Sequence, residues 1–188
     1  MIKSRKDLHE YLEADKAQLG RPYHLFKKWL IQAEDYHLRL FMVTLRYFEY
    51  YSNKKRHLWD YIPYLYYYRK FHRLQQKTGL FIRPNTVGAG FCPLHPGFVR
   101  FGHYVHIGKN CTVLPMVLIG KRRSGPCAIT IGDDCYIGTG VTILGPLTIG
   151  NNVTIAAGAV VLSDVPDNVV VAGVPAKVVK IKDLVEAK

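Results

Sequence analysis

The sequence contains no run of about 20 uncharged apolar residues, so no stretch of it is expected to cross a membrane as a helix. Its opening, MIKSRKDLHEYLEADK, lacks the apolar segment of a secretion signal. The four cysteines, Cys92, Cys111, Cys127 and Cys135, show no CxxC spacing, so neither a metal site nor a disulfide framework is expected. These absences point to a reducing, cytoplasmic setting, with the inner face of a membrane left open. Acidic residues are scarce, 14 against 26 Lys and Arg, for a formal net charge of +12. The excess is heaviest in residues 1–80, which hold 16 basic and 8 acidic side chains. A basic balance suits phosphates, anionic glycans, a membrane surface or nucleic acid. No nucleic-acid motif accompanies it, and no nucleic-acid partner is expected.

What the chain has in quantity is a repeat. Residues 131–166 read as six consecutive hexads: IGDDCY, IGTGVT, ILGPLT, IGNNVT, IAAGAV and VLSDVP. The first position is always Ile or Val, and the fifth is always small or apolar, with Cys135, Val141, Leu147, Val153, Ala159 and Val165. A period of six matches neither an amphipathic helix, about 3.6, nor an alternating strand, about 2.0. It matches a chain that turns a corner every six residues and sends one branched side chain inward on each flat face. Three hexads make one triangular coil, and the next coil stacks about 4.8 Å above it. Gly, Asn and Asp fall where the backbone must turn. One coil cannot bury its apolar face alone, so several are required.

The hexad phase extends upstream through FGHYVH from Phe101, IGKNCT from Ile107 and VLPMVL from Val113, for roughly four to five coils. Lys121-Arg122-Arg123-Ser124-Gly125 interrupts it as an expected loop. Cys111 and Cys135 hold the fifth position and are expected to be small buried hydrophobes. Composition changes near Leu80, which sets a boundary at about 79–82. Before it, the spacing predicts helices over residues 4–19, with Ser4 and Asp7 as a capping box and Gly20 as the stop, over 23–51, and over about 55–78. Pro63 is expected to kink the last of these or mark a restart. Nine of the 13 tyrosines lie between Tyr36 and Tyr68, interleaved with Lys and Arg. Packing between helices or subunits is the favoured role for them, with a peripheral membrane contact as the alternative.

His95 stands in GAGFCPLHPGFVRFG, residues 88–102, before the hexads settle. Histidine is the side chain suited to moving a proton near neutral pH, although a lone one more often serves structure. His103 and His106 fall in a regular coil and are expected at a surface or interface.

The V-G-x-G start at Val87–Gly90, His95 seven residues before Gly102, the in-phase hexads and the closing string VPDNVVVAGVPAKVV at 165–179 carry a resemblance. Together they resemble the hexapeptide-repeat acyltransferases, in the branch of serine O-acetyltransferases and capsular or exopolysaccharide O-acetyltransferases. The likeness covers about 80–185. It implies an α+β fold, with an α-helical N-terminal domain over 1–80 and a left-handed parallel β-helix over 81–188. It also implies a homotrimer, with pairing of two trimers into a hexamer through the N-terminal helices left open. Acetyl-CoA is the implied co-substrate, lying between neighbouring prisms. The hand of the helix comes from the resemblance alone.

His95 matches the family's catalytic histidine, the general base for an acceptor hydroxyl. Backbone N–H groups around Gly120 and Lys121 match the place for the oxyanion. Gly138, Thr139, Ala156 and Ala157 match positions along the pantetheine arm, and Lys177 matches a basic position near the nucleotide phosphates. Asp15 is the nearest match to a carboxylate that helps hold the amino acid, the other reading being an exposed helix residue. The chain departs from serine acetyltransferases at Leu94, where they carry Asp, and at Ser124–Cys127, where they carry another histidine. These departures lead to an expected sugar or surface-polysaccharide hydroxyl as acceptor, a small-molecule or glycan acceptor being the general class. Serine O-acetylation in cysteine biosynthesis is the alternative, and a non-catalytic scaffold is the third reading.

Overall fold

A computed structural model describes residues 1–19, 34–54 and 57–182. The expected Gly20 stop, the first third of the second helix, the start of the third helical stretch and the last six residues lie outside these. Helix α1 (Arg5–Gln18) begins at a reciprocal cap: Asp7 N–H donates to Ser4 Oγ at 3.0 Å, and Ser4 N–H donates to the Asp7 carboxylate at 3.0 Å. Helix α2 (Glu34–Asn53) and helix α3 (Tyr61–Thr78) follow, with a 3-10 turn at Leu58–Asp60 between them. At Pro63 the structure shows a restart rather than a kink. The ring lies in the first turn of α3, where its missing N–H has no intrahelical partner to lose. Gly79 ends α3 at φ +77°, a left-handed turn that favours glycine.

Aromatic rings join α2 to α3. Phe71 stacks on Phe41 with centroids 5.6 Å apart, and Tyr47 stacks on Tyr67 at 5.0 Å. Much of the tyrosine-rich stretch is therefore packing, as its helical spacing suggests, while Tyr61 and Tyr66 remain exposed.

From Leu80 the chain winds through three sheets in strict rotation. The first sheet stacks β1 (Leu80–Phe81), β3 (Val99–Phe101), β6 (Val117–Lys121), β9 (Thr142–Gly145) and β12 (Val160–Val161). The second stacks β4 (Val105–Ile107), β7 (Ile129–Ile131) and β10 (Leu147–Ile149), extended by single bridges at Val87 and Val165. The third stacks β2 (Cys92–Pro93), β5 (Thr112–Val113), β8 (Tyr136–Ile137), β11 (Thr154–Ile155) and β13 (Val169–Ala172). All of these pairings are parallel. Strand β14 (Lys177–Ile181) folds back antiparallel on β13 and closes the edge of the third sheet. The result is an N-terminal helical region followed by a parallel β-helix of hexapeptide coils.

Pairing superposes the hexad positions. Phe101, Ile119, Ile143 and Val161 are in register on the first face, Ile107, Ile131 and Ile149 on the second, and Val113, Ile137, Ile155 and Val171 on the third. All of them are buried. The thiols of Cys111 and Cys135 are buried at fifth positions, and each donates weakly to a carbonyl of the next coil, Gly132 and Gly150, at 3.1 Å. One corner is lined by Asn110, Asp134, Asn152 and Asn168, all at positive φ, which short polar side chains tolerate. Beside it, Lys109 N–H donates to Asp133, Asp133 N–H to Asn151, and Asn151 N–H to Asp167, at 2.6–2.8 Å. Each coil thus satisfies a backbone donor of the coil before it. The core runs unbroken from Leu38 and Phe71 of the helices through β1 to Val171.

Candidate active site

The third sheet and the corner that follows it position the candidate residues. Pro93, Val113, Ile137, Ile155 and Val171 pair in register, coil upon coil. Two residues beyond each stand His95, Pro115, Thr139, Ala157 and Gly173. The corner is therefore a column with His95 at one end. Hydrogen bonds tie its members: Leu94 N–H donates to Val113 O at 3.0 Å, Thr139 Oγ1 to Pro115 O at 2.8 Å, and Gly158 N–H to Thr139 O at 2.8 Å. His95 is exposed there. Gly97, just beyond it, carries its N–H to Thr78 O at the end of α3, and a Cβ at Gly97 would sit 2.7 Å from Pro115 Cβ. The turn bearing His95 is thus held between the helical region and the second coil.

Small residues make the rest of the column shallow. Thr139, Gly140, Ala157 and Gly158 are exposed. A Cβ at Gly158 would meet nothing within 4 Å, which leaves open space beside the backbone. Gly138 differs, since a Cβ there would lie 2.7 Å from Ala157 N; this glycine is required by coil stacking. A slender arm laid along Thr139, Gly140, Ala157 and Gly158 meets backbone and small side chains, so these residues fit the pantetheine of acetyl-CoA. Lys177 opens β14 opposite Ala172 and is exposed, at the far end of the same column from His95.

Gly120 and Lys121 are not brought to this column. They end β6, one full face away at the next corner, where Lys121 Nζ donates to Gly125 O at 2.8 Å and lies 5.1 Å from the Tyr104 ring centroid. Within one chain, the expected oxyanion donors and His95 occupy different corners.

Asp15 requires a correction. It is neither an exposed helix residue nor free to touch an acceptor. Only 3% of it is accessible, and its two carboxylate oxygens accept from Arg46 Nε at 2.7 Å, Arg46 Nη2 at 3.2 Å and Gly90 N–H at 2.8 Å. Arg46, fully buried in α2, also donates to Glu49 at 3.0 Å, to Val87 O at 3.1 Å and to Gly88 O at 2.6 Å, and stands over the Tyr11 ring at 4.8 Å. Glu49 accepts from Asn85 N–H at 2.6 Å. Burial pushes the carboxyls of Asp15 and Glu49 above their usual range, against the pull of the Arg46 charge. Burial also works against the Arg46 charge, but Glu49 and Asp15 together hold its guanidinium above the ordinary value. This cluster pins residues 85–90, the strap leading to His95, onto α1 and α2. Composition offered no sign of Arg46 or Glu49. The one available signal was an Arg and a Glu three apart on a helix face that is otherwise apolar.

Residues 128–163 match the family described as "Bacterial transferase hexapeptide (six repeats)". In repeat and in fold the chain is similar to the hexapeptide-repeat transferases. It is 42% identical over 105 residues to the serine acetyltransferase of Bacillus pumilus (strain SAFR-032), covering 54% of this chain and 48% of that protein. It is 39% identical over 101 residues to a putative acetyltransferase of Saccharomyces cerevisiae. The chain spans about half the length of the curated relatives it matches. Among solved structures, Neisseria gonorrhoeae serine acetyltransferase superposes with a TM-score of 0.68 at 25% identity, covering 96% of this chain and 69% of that one. The Brucella abortus strain S19 serine acetyltransferase in complex with coenzyme A gives 0.66 at 27% identity, over 95% and 68%.

These findings overturn the expectation of a sugar or surface-polysaccharide acceptor. It rested on two missing polar residues, at Leu94 and at Ser124–Cys127. The relatives matched along the coils are named serine acetyltransferases, which stands against that acceptor.

Proposed function

We propose that the chain is an acetyl-CoA-dependent O-acetyltransferase whose acceptor is the hydroxyl of serine. The observation that carries this reading is the column itself, an exposed imidazole at one end of a corner kept shallow by Thr139, Ala157 and their glycines. The relatives' names support the acceptor, and a relative's complex with coenzyme A supports the donor. Neutral His95 takes the proton from the serine hydroxyl as that oxygen attacks the thioester carbonyl. The new C–O bond forms, the C–S bond breaks, and His95 returns the proton to the departing thiolate. Thr139, Ala156 and Ala157 line the arm, and Lys177 faces the phosphates. Gly120 and Lys121 supply the oxyanion donors from a neighbouring chain of a homotrimer, because one chain keeps them a face away from its own His95.

The test is thiol release from acetyl-CoA with L-serine, comparing wild type with His95→Ala. A loss of about 10²–10⁴-fold is expected for removal of a positioned base. Undiminished turnover in the variant, or thiol release indifferent to L-serine, contradicts the reading.

A further inference from the structure

Helix α3 carries a face that the β-helix does not use. Ile62, Tyr66, Arg69, Lys70, Arg73 and Lys77 recur at steps of three and four, so they form one stripe. Its first half is apolar and its second half cationic. The preceding 3-10 turn lengthens the apolar end, with Leu58 exposed to 81%, Trp59 to 80% and Ile62 to 68%. Residues 58–78 contain a single acid, Asp60, and Lys54 holds its carboxylate at 2.8 Å. Between α2 and α3 the stripe borders a cleft of about 860 Å³, floored by Leu40, Leu65 and Leu74 and edged by Arg69, Arg73 and Lys77, with no acidic side chain in its lining among the described residues.

We propose that this face docks the protein on an anionic phospholipid surface, with the Leu58–Trp59 turn and Ile62 inserted and the cations of α3 at headgroup level. A projecting indole beside two exposed aliphatic side chains suits the boundary between headgroup and acyl chain, which amphipathic segments enter by about 5–10 Å. Arg69 to Arg73 begin about 10 Å along the helix from Ile62, at about 1.5 Å per residue, which sets them among phosphates when the apolar end is submerged. Four cations with no acid among them complement an anionic bilayer, each contributing about fivefold to partitioning. The inserted end at Ile62 lies about 24 Å along the helix, at about 1.5 Å per residue, from Thr78, whose carbonyl takes the Gly97 N–H beside His95.

The experiment is sedimentation of the full chain with vesicles of phosphatidylcholine alone and of phosphatidylcholine with phosphatidylglycerol. Trp59 emission is read in a Trp29→Phe background. Expected are binding to the anionic vesicles, a blue shift of Trp59, and weakening as salt rises. Replacing Arg69, Lys70 and Arg73 together by Gln lowers partitioning about 100-fold. Leu58→Ser with Trp59→Ser abolishes binding while the thermal transition and thiol release stay as in wild type. Equal binding to neutral vesicles, or none to anionic ones, overturns the proposal. So does a lipid-free blue shift of Trp59 that grows with protein concentration, which would assign the face to a second copy of the chain.

Discussion

Arg46 shows how much one side chain can carry. It is fully buried, bridges Asp15 and Glu49, and holds two carbonyls of the strap that leads to His95. Removing it leaves two carboxylates in a site with no other cation among the contacts described. Arg46→Met is therefore expected to lower unfolding free energy by about 3–5 kcal/mol in urea titration, the range for breaking a buried pair. The carboxyls give a second test. Their folded pKa values lie above the unfolded ones, 3.8 for Asp15 and 4.5 for Glu49, so the folded protein holds protons that the unfolded chain releases. That contribution is full below the unfolded values and is lost as pH rises through the folded ones. Measured against Glu49→Gln, wild type should lose relative stability as pH climbs above about 4.5. A difference that stays flat or grows with pH contradicts this placement. Asp15 was illegible in sequence because its partner lies 31 residues away on another helix, and only the fold brings them together. The Ser4–Asp7 cap was legible because every atom of it is local.

At the scale of elements, the hexads were legible almost throughout, since stacking leaves one kind of residue for each position. Ile143 lies in register between Ile119 and Val161 with no exposed surface. Ile143→Ala should cost about 2–5 kcal/mol in urea titration, as for other buried truncations. Gly138 joins stability to function. A methyl there meets the backbone of the next coil at 2.7 Å, so Gly138→Ala must shift the Ala156–Gly158 corner. The expected result is about 1–3 kcal/mol of destabilisation with a raised KM for acetyl-CoA in thiol release. An unchanged KM would show that the arm lies elsewhere. The helices were less legible. Their periodicity gave α1 and most of α3, but the tyrosine-rich stretch divides between rings packed across α2 and α3 and others left in solvent. Spacing alone does not separate those two sets.

For the whole molecule, Thr139 and Ala157 were readable as the same third hexad position, and the register of Ile137 with Ile155 stacks them at one corner; His95 and Lys177 lie outside the regular hexads and were singled out by the family resemblance. The acceptor was not readable. Missing polar residues say what is not bound, and the sugar reading failed because the relatives along the coils are serine acetyltransferases. Leu94 is exposed beside His95, so Leu94→Asp places a carboxylate immediately before the imidazole, where a serine amino group could meet it. It should raise kcat/KM for L-serine about 10-fold or more, the worth of one charge-assisted hydrogen bond; a fall would argue against serine beside Leu94. The most direct test is a crystal structure with coenzyme A bound. The arm is expected along Thr139 and Ala157, the phosphates toward Lys177, and the sulfur within about 3–3.5 Å of a point that the His95 imidazole can reach through the acceptor oxygen. Coenzyme A bound away from that corner, with its sulfur remote from every His95 in the assembly, would contradict this placement.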